Sequence, residues 1–76
     1  MKHVVEIFDR ETEALLFSVD VPADRLDALR QLMNWNQPGD EFDGYDLSQE
    51  QVKELEQWTG RSLMGKNHIV QLVCIE

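Results

Sequence analysis

Apolar positions along this chain follow a period of two at both ends and a period near 3.6 in the middle. From His3 to Phe8 the residues are β-branched or aromatic, with Val5 and Ile7 on one side and Val4 and Phe8 on the other, which predicts a strand. Asp9-Arg10-Glu11-Thr12 is a short polar segment suited to a hairpin turn, although it lacks the favoured Asn-Gly. Glu13 to Val21 alternates again, with Leu15, Phe17, Val19 and Val21 on one side and Ala14, Leu16, Ser18 and Asp20 on the other. Two such runs joined by a short turn pair antiparallel. Both faces of the first strand carry apolar groups, and helices in so short a chain cover only one of them. The apolar side left over is partly exposed or part of an interface.

The period then changes. Pro22 ends the second strand and can open a helix. Asp24 to Asn34 places Leu26, Leu29, Leu32 and Met33 on one stripe, with Arg25, Asp27, Arg30 and Gln31 outside it. Asn34, Asn36, Pro38 and Gly39 terminate that helix. Ser48-Gln49-Glu50-Gln51 matches a capping box, with Leu47 before it as a hydrophobic staple. Val52, Leu55, Trp58 and Thr59 form the inward stripe of a second helix, closed by Gly60. Arg61 to Asn67 reads as a loop. His68 to Ile75 is a final strand with Val70, Leu72 and Cys74 on one face. The predicted fold class is α+β, a small β-β-α-α-β domain with a three-stranded antiparallel sheet and two helices packed on one face. The last strand pairs with the first hairpin in this reading.

Composition narrows the function classes. The 76 residues (1–76) make a single domain with room for one core. Fifteen acids against seven bases give a formal net charge of −8, which repels nucleic acid and anionic lipid and speeds encounter with a basic partner. The competing reading is that such acidity serves solubility alone. The single cysteine, Cys74, cannot form an internal disulfide and reads as a structural thiol in a reducing cytoplasm. Charge interrupts Met1-Lys2-His3-Val4-Val5-Glu6 at once, so no secretion signal is read there. No apolar run approaches the roughly 20 residues that span a bilayer. The expected location is the cytoplasm, without membrane contact.

The chemistry concentrates between the two helices. Gly39-Asp40-Glu41-Phe42-Asp43-Gly44-Tyr45-Asp46-Leu47 holds four carboxylates, two aromatic rings and two glycines. As a calcium loop it fails, because Phe42 and Gly44 fall where ligands belong. As paired glycosidase acids it lacks a cleft. Two readings of it remain open: a solvated acidic loop with Tyr45 against the sheet, or a partner-binding surface. For the second, Asp40, Glu41, Asp43 and Asp46 would face basic groups, and Phe42, Tyr45 and Trp35 would supply apolar contact. His3 and His68 fall at opposite ends of the predicted sheet and read as ordinary edge residues. The sequence offers no nucleophile motif, phosphate loop or metal-ligand spacing, and its bases are scattered. The expectation is a protein that is not an enzyme, with no catalytic residues, cofactor, metal or nucleic-acid partner.

The run Val4-Val5-Glu6-Ile7-Phe8-Asp9-Arg10-Glu11-Thr12, the stretch Gly44-Tyr45-Asp46-Leu47-Ser48 and the following Gln51-Val52-x-x-Leu55 resemble a family of short acidic bacterial proteins. Members are similar to immunity proteins encoded beside polymorphic toxins, including those of contact-dependent growth inhibition systems. The resemblance implies a cytoplasmic antidote that binds one cognate toxin domain and blocks it. Such families bind through variable surfaces, so it assigns no contact residue. Many delivered toxins are nucleases with basic clefts, which an acidic surface complements. The alternative from another class is a small acidic homodimeric structural or adaptor domain without a toxin partner; monomer and homodimer both stay open.

Overall fold

The two ends of the chain meet in the middle of the sheet. The computed structural model describes residues 2–75. In it, β1 (Lys2–Asp9) pairs antiparallel with β4 (His68–Ile75) along its whole length, from Lys2 opposite Ile75 to Asp9 opposite His68. β2 (Leu15–Asp20) flanks β1, and β3 (Tyr45–Asp46) flanks β4, giving the order β2-β1-β4-β3 with every pairing antiparallel. The predicted pairing of the last strand with the first is present. The predicted count of three strands is corrected to four. The extra strand is two residues long and lies inside the acidic segment, too short for an alternation to mark it. It forms because the outer edge of β4 has free backbone groups to satisfy.

A bulge corrects one face assignment. Ile7 pairs with Phe17, but Phe8 pairs with Leu15, so the register slips between them. Leu15 therefore leaves the side of Phe17 and Val19 and lies half-exposed beside Phe8. The hairpin turn before it is held by a side chain instead of an Asn-Gly pair. The Asp9 carboxylate accepts from the Glu11 and Thr12 N–H groups at 2.8 and 3.0 Å, and Glu13 takes the left-handed conformation at φ 62°.

Both helices cover one face, as expected. A 3₁₀ turn at Ala23–Arg25 leads into α1 (Leu26–Met33), so the predicted start at Asp24 falls in the tighter turn. Asn34, at φ 58°, ends α1, and the Trp35 N–H returns to the Arg30 carbonyl at 3.0 Å. α2 (Gln49–Thr59) opens on the full capping box: the Ser48 hydroxyl accepts from the Gln51 N–H, and the Gln51 side chain accepts from the Ser48 N–H. Leu29 from α1, with Val52 and Leu55 from α2, packs on Val5, Ile7, Val19, Val70 and Leu72.

Leu63 joins them at 1% exposure, although its segment reads as a plain loop in sequence. The cause is Glu56, whose carboxylate accepts from the Leu63 and Met64 N–H groups at 2.7 and 3.1 Å and folds the loop back over the core. Those bonds, Leu63 first, hold the Glu56 carboxyl below its ordinary range; Thr12 first and then Glu11 do the same for Asp9.

Truncating Leu63 to Ala should cost about 2–5 kcal/mol in urea unfolding, whereas the exposed Met64→Ala should stay within about 0.5 kcal/mol. Glu56 and Asp9 bind protons more weakly in the folded chain. Their stabilisation is therefore complete above the ordinary values of 4.5 and 3.8 and is lost as pH falls through the lower folded values. Unfolding midpoints followed from about pH 6 to pH 3 should converge between wild type and Glu56→Gln as the pH drops. Parallel curves would mean that Glu56 does not hold the loop.

Candidate functional site

The acidic segment leaves the end of α1 and crosses one end of the helix-covered face before joining the sheet as β3. Its path is set residue by residue. Gly39 turns the chain at φ 93°, a left-handed conformation that a side chain would strain. Asp40–Phe42 make one 3₁₀ turn. The Asp40 carboxylate reaches back to accept from the Asn36 and Gln37 N–H groups at 3.2 and 3.1 Å. Tyr45 then pairs with Leu72 and Asp46 with Gln71, whose amide donates to the Asp46 carboxylate at 2.8 Å.

Three stacked rings hold this strap to the sheet. Trp35 packs against both His3 and Tyr45, with ring centroids 5.6 Å from each and tilts of 36° and 42°. The Tyr45 hydroxyl donates to the Asp40 carbonyl at 2.7 Å. His3 Nε2 lies 3.1 Å from the Glu41 carbonyl oxygen, a contact that requires the proton on Nε2. One end of the strap is thus bonded to β1 and the other to β4.

The arrangement sorts the seven residues predicted to bind a partner. Phe42 is 63% exposed, and Asp43 and Asp46 are exposed. Asp40, Glu41, Trp35 and Tyr45 are half-buried. Asp40 is partly engaged in shaping the loop, and Trp35 and Tyr45 mount it. The end of α1 and the segment carry all seven, but Tyr45 and Asp46, paired with Leu72 and Gln71, face opposite sides of the sheet, and the exposed members are Phe42, Asp43 and Asp46. His3 is the supporting residue that the edge-residue reading missed. It is buried at 6% exposure, and its place two residues before Val5 and four before Ile7 already puts it on the inward face.

Burial, the largest cause, pushes the Tyr45 phenol above its ordinary range, and the charges of Asp43, Asp40 and Glu41 add to it. The Trp35 indole opposes this shift, yet its buried N–H reaches no acceptor in hydrogen-bond geometry among the described residues. Beside the strap is a shallow cleft of about 350 Å³ lined by Arg30, Trp35, Asn36, Gln37, Pro38 and Glu41. His3 and His68 stand at opposite ends of the sheet, opposite Cys74 and Asp9 respectively. Among the described residues, no three His, Cys, Asp or Glu side chains gather to hold a metal ion. No helix among them is long and apolar enough to cross a membrane.

A family profile described as a domain of unknown function (DUF7683) matches residues 2–73. The chain belongs to that family. No curated protein and no solved structure matches the chain. The match runs from the start of β1 into β4, so the ring stack and the strap lie within the shared domain.

Tyr45 is the chain's one tyrosine, so its ionisation can be followed by absorbance without interference. Its midpoint should lie above the ordinary 10.0. Asp43→Asn should lower it only part of the way, because burial is the larger cause. Return to the ordinary value in that variant would show that charge, not burial, dominates. Tyr45→Phe should keep the stack but speed hydrogen exchange across Asp40–Asp43, since the hydroxyl bond to the loop is gone.

Proposed function

We propose that this chain is an immunity protein: a non-enzymatic, cofactor-free cytoplasmic antidote that binds and neutralises a cognate bacterial toxin domain, one of the nuclease class. The strap carries this reading. An exposed phenylalanine and flanking carboxylates stand on a ring stack anchored in the sheet, so little conformational entropy is lost when a partner orders them. The net charge of −8 suits a basic nuclease cleft, where carboxylates take the place of backbone phosphates and long-range attraction speeds capture. In this reading Asp43, Asp46 and Glu41 pair with lysine or arginine of the toxin, Asp40 keeps the loop in shape while adding its charge, and Phe42 enters an apolar pocket. Tyr45 and Trp35 contribute the edges of their rings.

A second reading draws on the sheet face that no helix covers: a small acidic homodimeric structural or adaptor domain, which light scattering would report as a dimer with no need of a partner.

The deciding experiment co-expresses the chain with the toxin domain encoded beside it. Growth should be rescued, and the purified pair should loosen as salt rises. Phe42→Ala should weaken the complex more than about fivefold, equivalent to roughly 1 kcal/mol. Glu41→Gln with Asp43→Asn should slow association and flatten its salt dependence. If all three substitutions leave rescue and affinity unchanged, the strap is not the interface. If no neighbouring toxin is neutralised, the immunity reading fails.

A further inference from the structure

One carboxylate stands alone in the middle of the uncovered sheet face. The register aligns Ser18, Glu6, Gln71 and Asp46 as a polar row across all four strands. Val4 and Val73 lie on one side of that row; Phe8 and Ile69, with Leu15 at the bulge, lie on the other. Both helices pack on the opposite face and no helix covers this one: Val4 is buried at 5% exposure, Phe8, Ile69 and Val73 are half-buried, and Leu15 and Ile75 are exposed. Two of the charged or polar groups near Glu6 are already engaged, while the Ser18 hydroxyl opposite it makes no hydrogen bond among the described residues. Gln71 donates to Asp46 at 2.8 Å, and Lys2, the cation of this face, pairs with Asp20 at 3.1 Å. The Glu6 carboxylate, on a half-buried residue, makes no hydrogen bond or ion pair among the described residues.

A second copy of the chain is a poor occupant. It would bring another −8 and set its own acidic row over this one. Size points the same way. Even if all four strands had the eight residues of β1 and β4, at about 3.3 Å per residue with three spacings of about 4.8 Å they would cover at most about 400 Å², half of the roughly 800 Å² each partner buries in a standard interface. A stable interface here needs a second surface, and the polar row leads to one: its last member, Asp46, belongs to the strap's own strand.

Building on the partner-binding reading of the strap, we infer that the uncovered sheet face is a second half of that interface, seating a protein surface whose lysine or arginine, ringed by apolar side chains, pairs with Glu6. Val4, Val73, Phe8 and Ile69 shield that pair from water, which strengthens it.

The test uses a strand peptide that presents valine, arginine and valine on one face, with serines between them, as probe, the same peptide with glutamate in place of arginine as control, and methyl and backbone amide resonances as readout. The basic peptide should move the Val4, Ile69, Val73 and Ile75 methyls and leave those of Val5 and Leu72 in place, while the acidic peptide moves none. Glu6→Gln should weaken binding at least tenfold with an unchanged or higher melting temperature. The same charge change at Glu54, exposed on α2, should leave binding intact. Amide shifts confined to Phe42 and Asp43, indifferent to Glu6→Gln, would overturn this inference and leave the strap reading standing. Methyl shifts that grow with protein concentration alone would overturn it in favour of self-association. No shift with either peptide would overturn it as well, whatever the toxin experiment shows for the strap.

Discussion

Everything in this fold hangs on the eight-residue pairing of β1 with β4, the first and last strands of the chain. It puts both strands in the interior of the sheet and leaves β2 and the two-residue β3 as edges. Because the partners are far apart in sequence, their pairing closes a long loop, which is entropically demanding and slow to form. The intervening chain must then cover one face without a third layer. It does so with two short helices and the returning Leu63 loop, which bury Val5, Ile7 and Leu72 completely. Both helices lie on the same side, so the opposite face has no helix over it.

How much of this was legible in the sequence depended on whether the signal was local. α2 was readable because its cap, apolar stripe and terminal Gly60 are all written within a dozen residues. The alternation of β1 and β4 was equally plain. What escaped was fixed by contacts across the chain. β3 exists because the β4 edge is there to receive it, and Tyr45-Asp46 alone has no pattern. Leu63 is core because a glutamate seven residues earlier captures two backbone N–H groups. The bulge that turns Leu15 outward follows from the Asp9 turn and the left-handed Glu13, not from alternation. For the strap, the sequence named the segment and its chemistry, but not the division of labour within it, because that division is set by His3 from the far end of the chain.

That division shows that the acidity is not one property. Asp9, Asp40 and Glu56 accept backbone N–H bonds and shape loops. Asp20 answers Lys2, and Asp46 answers Gln71. Carboxylates that satisfy backbone donors are structural whatever the net charge, and replacing them alters shape before it alters the field. Glu6 and Asp43 make no such bonds among the described residues, and it is acids of this kind whose charge is free for a partner. A net charge read from composition counts both kinds alike and so does not say which of the fifteen acids shape the fold.

The two free surfaces are also mechanically linked. Tyr45 and Asp46 are consecutive, so the period of a strand sends them to opposite faces. Tyr45 turns inward to the ring stack that carries the strap, and Asp46 turns outward to end the polar row that contains Glu6. A displacement of the strap that unstacked Trp35 would also pull at the β3–β4 ladder and at the Gln71–Asp46 bond. Short as it is, β3 is the joint between the strap and the polar row, so the geometry of both depends on the same two backbone pairings to β4.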